Sequence, residues 1–349
     1  MKNAFIAAAA ALVCAGAAHA QSNVQLTGLI DMYAGSIKAP GGTRTSVLGS
    51  GGLTTSWWGI KGTEDLGGGL KADFNLTSFF RADTGTPGRD VPNDTFFSRD
   101  ANVGLSGGFG RVSLGRGMAP NFLPTILTNP FGDSFTVSPL VLHANVPNVA
   151  AGWFNTTTPS DTGWSNQITY STPDFGGLKA NLHYQFGEQS AAGQRGKKNI
   201  GLNVMYFTGP LSLVAFYERA QINNPSPLNV INTKTDWMVG GTYDFQVVKL
   251  YGTYGQSKNK DAPVSNKNTT YSLGLDVPVS GTPGTFKAAA ARTKAEWGGA
   301  SATRTTYTLG YDHFLSKRTD VYGAVMYDRI SNASPTSGTS VAAGIRHRF

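Results

Sequence analysis

Cysteine is almost absent from this sequence, and long apolar segments are absent beyond its first twenty residues. The single cysteine, Cys14, lies inside that first segment, so the remainder of the chain cannot form a disulfide. No run of 18 apolar residues follows Ala20, which excludes a transmembrane helix because such a helix needs about 20 of them. Charged residues make up only 14% of the chain, which is low for an ordinary soluble domain.

The first twenty residues, MKNAFIAAAAALVCAGAAHA, have the layout of a secretory signal peptide. Lys2 precedes an apolar run from Phe5 to Ala15, and Ala18-His19-Ala20 forms a small-x-small cleavage pattern. We therefore expect residues 1–20 to be removed after Ala20. Residues 21–349 would then form the mature protein as one domain.

The charge balance and the motifs limit the classes of function. Basic residues outnumber acidic ones by 29 to 21, but they are scattered, which is unlike a nucleic-acid-binding tail. A scattered excess fits an anionic membrane surface or anionic solutes better. The five histidines show no metal-ligand spacing, and neither a nucleophile elbow nor a phosphate-binding loop occurs. We expect no enzyme activity, no cofactor, no metal and no nucleic-acid partner.

Apolar and polar residues alternate through most of the mature chain. The segments LKADFNLTSFFRAD (70–83), TYSLGLDVPV (270–279) and TYTLGYDHF (306–314) are examples. Successive side chains of a strand point to opposite faces, so each segment predicts a strand with one apolar and one polar face. Each is about ten residues long, which is the length that a tilted strand needs to cross a bilayer.

The predicted strands number sixteen, and short turns alternate with longer polar loops between them. The longer loops include 39–53, 83–95, 118–163 and 297–302. An even number of such strands favours an all-β fold, a 16-stranded antiparallel transmembrane β-barrel. A secreted β-sandwich is the alternative, but it does not explain the aromatic residues expected at strand ends as membrane-interface belts, among them Tyr33, Phe79, Phe96, Tyr243 and Phe314.

The chain ends with SVAAGIRHRF, which follows the same period of two to its last residue. We expect this segment to be the closing strand, with Val341, Ala343, Ile345 and Phe349 towards lipid and Arg346 and Arg348 towards the lumen. It must pair with the first strand, because an open sheet edge in hydrocarbon leaves backbone groups unpaired.

Several motifs resemble those of one family, the Gram-negative general porins of the beta-proteobacterial type. They are the opening strand 24–35, GIKGTEDLGGGLKADFNL (59–76), ANVGLSGGFGRVSLGR (101–116), YSTPDFGGLKANLHY (170–184) and the terminal Phe349. The resemblance covers nearly the whole mature chain. It implies a homotrimer in the outer membrane of a Gram-negative bacterium, with a water-filled barrel for passive diffusion of small hydrophilic solutes and ions.

The same resemblance implies that the long third extracellular loop, 118–163, folds into the lumen and narrows it. The many apolar residues of this loop also indicate that it packs against a wall. Such a barrel would contact outer-membrane lipid and lipopolysaccharide and pass small anionic or neutral solutes, with a mild preference for anions. A substrate-specific channel for organic or aromatic acid anions is the alternative function, and a barrel acting as an adhesin is a third.

Basic residues are the first candidates for the pore constriction, because rings of them bias a pore towards anions. Strand alternation places Lys61, Arg81 and Arg111 in the lumen, and Lys71 with them. Arg116 begins the third loop and is a candidate anchor for it. Arg99 has the parity of lipid-facing residues, so that a bulge would be needed to turn it inward, whereas the resemblance favours it as a bore residue.

An acidic residue and a tryptophan complete the predicted constriction. The resemblance places an acidic group in the third loop, and the matching residue is Asp133 in NPFGDSF; a turn-capping role is the other interpretation. Trp57 faces the lumen by alternation, at a position where anion-selective relatives often carry arginine. It either lines the bore, together with Trp153, or packs beneath the loop as a structural residue. The start of strand six, Gly163-Trp164, also lacks a basic residue.

Overall fold

The structure is a computed structural model that describes residues 23–89, 94–146, 162–188, 198–221, 233–260, 266–332 and 334–349. The expected signal peptide, its cleavage after Ala20 and the start of the domain 21–349 lie outside these residues, as does Trp153 of the third loop. In the described part, no helix is long and apolar enough to cross a membrane.

Antiparallel strands make up nearly all of the regular structure, and they form one sheet that closes where the last strand pairs with the first. The strands are β1 (Asn23–Ile37), β2 (Thr45–Ser50), β3 (Trp57–Gly67), β4 (Leu70–Phe79), β5 (Asp100–Gly107), β6 (Gly110–Met118), β7 (Gly163–Ser171), β8 (Leu178–Gln185), β9 (Asn199–Thr208), β10 (Leu211–Gln221), β11 (Thr233–Asp244), β12 (Lys249–Lys260), β13 (Asn266–Pro278), β14 (Gly284–Trp297), β15 (Ala300–Phe314), β16 (Thr319–Ser331) and β17 (Thr336–Arg348). Two short helices, α1 (Phe122–Leu127) and α2 (Pro139–Asn145), lie in the third loop.

The barrel has sixteen strand positions, because β2 and β3 share one of them. Both strands pair with the same edge of β1, and residues 51–56 leave the sheet between them. The predicted 16-stranded antiparallel barrel is therefore confirmed. The long loop predicted at 39–53 is wrong in part, since Thr45–Ser50 continue the sheet.

The long loop predicted at 297–302 is also wrong. β14 continues to Trp297 and β15 restarts at Ala300, with only Gly298 and Gly299 between them. Both glycines have positive φ, 51° and 82°, which is the backbone geometry of a two-residue hairpin turn. The two strands are consequently joined without a polar loop.

The two faces of each strand differ in exposure and composition. On β15, Tyr307 and Leu309 are exposed, whereas Thr306 and Thr308 between them are buried. An exposed apolar face that alternates with a polar face is the pattern of a barrel wall in lipid, so we call the polar face the inner face. Tyr33 and Phe79 lie on the inner face with Asp31 and Thr77, so their predicted place in the aromatic belts is wrong.

The seam of the barrel lies between Gly28 and Phe349. The Gly28 N–H donates to the Phe349 carbonyl and the Phe349 N–H donates to the Gly28 carbonyl, each over 3.0 Å. The Phe349 ring lies over Gly28, where a Cβ atom would collide with the ring and with the Trp57 carbonyl. The terminal residue therefore completes the hydrogen-bonded closure, as the closing-strand prediction requires.

We predict that Gly28→Ala weakens the seam. The added methyl group must push the Phe349 ring off the first strand, and overpacking of this kind costs about 1–3 kcal/mol. The measurement is the urea concentration or temperature at which the barrel loses its compact mobility in gel electrophoresis.

Gly323→Ala is the matched control on β16, where the nearest atom to the new Cβ would lie 4.0 Å away. Equal stability of the two variants would contradict a tightly packed seam.

Candidate functional site

The third loop follows the inner face of the barrel from β9 to β15. On every second strand of this wall, an inner-face glycine leaves space for one loop residue. The pairs of glycine and loop residue are Gly201 with Pro120, Gly240 with Thr128, Gly274 with Pro130, and Gly310 with Phe131. A Cβ atom on Gly274 would lie only 2.5 Å from Pro130 Cδ. Residues 119–146 thus pack against the barrel wall rather than into solvent.

The loop also contacts the interruption between β2 and β3. Ser134 Oγ donates to the Gly52 carbonyl over 2.6 Å, and Thr136 Oγ1 donates to the Gly51 carbonyl over 2.9 Å. These two carbonyls are available because residues 51–56 are outside the sheet. The interruption therefore forms a docking point for the middle of the loop.

A buried carboxylate holds the interruption in place. Asp31 accepts hydrogen bonds from the backbone N–H groups of Gly52, Leu53 and Thr54, at 3.2, 2.8 and 2.8 Å, and from the Tyr322 hydroxyl. Its own N–H donates to Ser56 Oγ. These bonds satisfy backbone donors that have no partner in the sheet.

Helix α2 is attached to β14 and β15 by side chains. The two ring nitrogens of His143 lie 2.8 Å from Thr293 Oγ1 and Thr306 Oγ1. Burial and the nearby Arg304 guanidinium hold the pKa of His143 well below its usual range, so the ring is neutral. Arg304 also donates to the Leu142 and Val146 carbonyls at the end of the helix.

Among the predicted pore residues, Arg99 and Trp57 meet directly. The Arg99 Cζ lies 4.1 Å from the centroid of the Trp57 ring, and an Arg99 guanidinium nitrogen lies 3.1 Å from Asp100. Arg99 precedes β5, which begins at Asp100, so strand parity does not apply to it and no bulge is needed. Stacking of a guanidinium on an indole face is a favourable cation–π contact.

Arg111 and Arg116 follow on β6 and have different partners. Arg111 forks onto Asp73, with its Nε 3.0 Å and 3.1 Å from the two carboxylate oxygens, and also reaches Asn102. Arg116 donates to the Ser98 carbonyl over 2.8 Å and to Ser165 Oγ over 2.9 Å. Its contacts tie together the chain before β5 and the strand that follows the third loop, which fits an anchor.

Lys61, Lys71 and Arg81 lie on or directly after the neighbouring strands β3 and β4. Lys61 and Lys71 are exposed on the inner faces of β3 and β4, and neither is within ion-pair distance of a described carboxylate. Arg81 follows β4, forks onto Asp83, and lines a cavity that also contains Thr136 of the loop.

Asp133 lies at the turn between the two loop helices, on the side of the loop that contacts the interruption. Removal from solvent raises the pKa of its carboxyl group to about 6, although a Thr54 hydrogen bond and the Arg99 and Arg346 guanidinium groups act in the opposite direction. Arg346 itself donates to Thr54 Oγ1 over 2.8 Å. Asp133 therefore lies within the electrostatic reach of Arg99, one of the basic residues predicted for the constriction.

The part of the barrel wall behind the loop carries buried ion pairs. Lys234 and Glu218 are fully buried, and their charged atoms lie 2.8 Å apart. Arg304 and Asp328 are almost fully buried, and their charged atoms also lie 2.8 Å apart. Arg346 lies 3.0 Å from Asp320. These three cations are paired, since a buried charge without a partner is costly.

An open space separates the loop from the opposite wall. It has a volume of about 430 Å³ and is lined by Arg99, Arg111, Arg116, Leu123, His183 and Asn203, among others. Leu123 belongs to helix α1, whereas the arginines lie on or beside β5 and β6. Three of the six predicted basic residues, Arg99, Arg111 and Arg116, thus line one water-accessible space.

Three residues next to the site were not predicted from the sequence, namely Asp31, Asp73 and Arg346. Alternation had placed Arg346 on the inner face, and Asp73 lies on the polar face of the alternating segment 70–83; this was the available signal. Their partners lie on other strands, so spacing along the chain could not identify them.

Comparison with known proteins finds relatives over the whole length of the chain. Residues 7–333 match the family of Gram-negative porins. The chain is 35% identical over 371 aligned positions to outer membrane porin protein 32 of Delftia acidovorans and 28% identical over 404 to an outer membrane porin protein of Bordetella pertussis, with all of each chain covered. An anion-selective porin from Comamonas acidovorans has a similar structure, with a TM-score of 0.79, 30% identity, and coverage of 94% of this chain and 100% of that one.

We predict that Gly274→Val displaces the third loop. The valine side chain would occupy the position of Pro130, and the loop must leave the wall to avoid it. The measurement is chymotrypsin cleavage within 119–146, which is rich in leucine and phenylalanine and contains no lysine or arginine. We expect cleavage at least several-fold faster than in the parent.

Gly252→Val is the control, on the neighbouring strand and the opposite face, where the nearest atom to a new Cβ is 3.7 Å away. If both variants are cleaved at the same rate, Gly274 is not a docking position for the loop.

Proposed function

Because the chain belongs to the Gram-negative porin family, it is an outer-membrane porin, a passive diffusion channel and not an enzyme, and we propose that its pore has a mild preference for anions. The observation that carries this proposal is the unequal distribution of charge across the described lumen. On or beside β3–β6, the described wall that faces the loop carries the six predicted basic residues Lys61, Lys71, Arg81, Arg99, Arg111 and Arg116, against the acidic residues Asp65, Asp73, Asp83 and Asp100. On the wall behind the loop the buried cations Lys234, Arg304 and Arg346 are each paired with a carboxylate.

We further propose that the third loop narrows the lumen and forms the constriction with the opposite wall. The inner-face glycines beneath the loop, and the docking of Ser134 and Thr136 on the interruption, support this. In this arrangement Trp57, Lys61, Arg81, Arg99 and Arg111 line one side of the constriction and Asp133 the other. Arg116 supports the loop ends.

A substrate-specific channel remains the second candidate function, and one observation favours it. Arg99 stacked on Trp57 presents a cation beside an aromatic surface, which is a suitable combination for an organic or aromatic carboxylate. A general pore and a specific one would differ in whether such solutes block the current.

Three further properties are proposed with this function. The protein is exported with cleavage after Ala20, it assembles as a homotrimer, and it contacts outer-membrane lipid and lipopolysaccharide. The large exposed apolar residues of the outer face, which include Leu26, Leu48, Val103 and Leu114, support burial against lipid or neighbouring subunits.

The test is reconstitution in a planar bilayer, with the reversal potential measured across a potassium chloride gradient. A moderate anion-side potential, openings in groups of three and no block by carboxylates would support a general porin. Block at low concentration by one class of carboxylate would favour the specific channel, and absence of conductance would contradict both.

We predict that Trp57→Arg raises the anion preference. A second guanidinium beside Arg99 adds a full positive charge within a Debye length of about 8–10 Å of the ion path, and the ratio of anion to cation permeability should rise by roughly twofold. Trp57→Gln is the control for side-chain size without charge. An unchanged reversal potential in Trp57→Arg would show that this position is outside the bore.

We also predict that the anion preference depends on pH through Asp133. A carboxyl group with a pKa of about 6 is charged above that value and neutral below it. Lowering the pH from 7.5 to 5 should therefore remove a negative charge from the constriction and shift the reversal potential further to the anion side.

Asp133→Asn should have the low-pH selectivity already at pH 7.5 and lose most of the pH dependence. If the variant titrates like the parent, another group is responsible.

A further inference from the structure

The outer face of β10–β16 carries an aromatic belt near the loop ends of the strands. Its residues share the exposed face of their strands, and they are Tyr217, Trp237, Tyr254, Tyr271, Tyr307 and Tyr327. Trp237, Tyr254 and Tyr271 are in ring contact, with centroids 5.4 and 4.9 Å apart in succession. Tyrosine and tryptophan concentrate at the membrane–water interface, so this belt marks the outer boundary of the hydrocarbon region.

A row of basic residues lies beside the belt on the side of the loops. On β10 and β16, Arg219 and Arg329 lie two residues beyond Tyr217 and Tyr327 towards the loop end. On β12 and β13 the cations are Lys258 and Lys267, each four residues beyond the aromatic residue of its strand. Arg292 and Lys294 on β14 complete the row, and all of these positions have outer-face parity.

The register brings the cations of the central strands next to one another. Lys258 is directly opposite Lys267, Lys267 is opposite Glu296, and Arg292 is opposite Tyr271. Directly opposed side chains are about 4.5–5.5 Å apart at Cβ, where like charges repel. The only described acidic residue of this group is Glu296, whose carboxylate is 2.8 Å from Lys294 Nζ.

We propose that Lys258, Lys267 and Arg292, with Lys294 beside them, form a binding site for the phosphate groups of a phosphorylated lipid in the outer leaflet. The proposal rests on the contact with outer-membrane lipid and lipopolysaccharide in the proposed function and adds a defined site to it. A phosphate between Lys258 and Lys267 would relieve their repulsion, and the Arg292 guanidinium can bind phosphate oxygens as a fork. The acyl chains would then lie on the apolar face below the belt.

The position of the cluster favours a lipid over a dissolved anion. The cations are on the outer face, away from the lumen, and Arg292 is level with Tyr271 of the belt. A group at that depth meets the headgroup region of the bilayer, where phosphates are concentrated and basic side chains are attracted to them.

The test compares lipid binding by the purified full-length protein and by a triple variant, Lys258→Gln, Lys267→Gln and Arg292→Gln, which leaves the Lys294–Glu296 pair intact. Binding of diphosphoryl lipid A, monophosphoryl lipid A and phosphatidylethanolamine is measured by native mass spectrometry in detergent. We expect the parent to prefer the diphosphoryl lipid and the triple variant to bind it at least roughly tenfold more weakly.

The matched control is Arg44→Gln, Lys317→Gln and Arg318→Gln, which removes the same charge from exposed positions outside the cluster. The proposal is overturned if the triple variant binds like the parent, if the control loses as much affinity, or if millimolar inorganic phosphate displaces the lipid from the parent. Bilayer conductance is recorded for every protein, so that failure of the channel function in the parent is seen separately from failure of lipid binding.

Discussion

The requirement that every backbone N–H and C=O group be paired within hydrocarbon decides the rest of this structure. Each unpaired group there costs several kcal/mol, so the sheet must close, and it does so through reciprocal bonds between Gly28 and Phe349. The same requirement has a local exception at residues 51–56, where the strand leaves its partner. Asp31 replaces the missing sheet bonds by accepting three backbone N–H groups. The Gly51 and Gly52 carbonyls of this segment then accept hydrogen bonds from Thr136 and Ser134, so that a break in one strand fixes the position of the third loop.

The loop in turn explains why the two walls hold charge differently. Side chains beneath the loop lose their contact with water, and a buried cation requires a partner; Lys234 and Glu218 are accordingly both fully buried and paired. Across the lumen, the side chains of Arg99 and Arg111 keep 24% and 30% of their exposure although they also contact carboxylates. Water screens these pairs, and Lys61 needs no partner at all. The unequal walls follow from which side the loop covers, and the composition of the chain alone does not determine them.

Alternation along the chain was sufficient to predict the barrel, its even number of strand positions and its closing strand, because a period of two is a local property. It failed at strand ends and at the interruption between β2 and β3. The glycine-rich segment around 45–56 looked like one loop, since its only regular part, Thr45–Ser50, is short. Arg99 was assigned to a strand that begins one residue later. The partnership of Arg111 with Asp73 joins residues 38 positions apart, and the surroundings of Asp133 come from Thr54, Arg99 and Arg346. Such contacts depend on strand register and loop path, which a single sequence does not encode locally.

From composition alone, the excess of positive charge has two interpretations. It could serve binding to an anionic membrane surface or attraction of anionic solutes. In the folded chain these are not alternatives, because adjacent residues of a strand face different media. Thr293 points inward and holds His143 of the loop, whereas its neighbours Arg292 and Lys294 lie on the outer face. In such a strand, one set of alternate side chains therefore faces the lumen and the other set faces the membrane surface. Charge on such a protein has to be assigned face by face before its sign says anything about a partner.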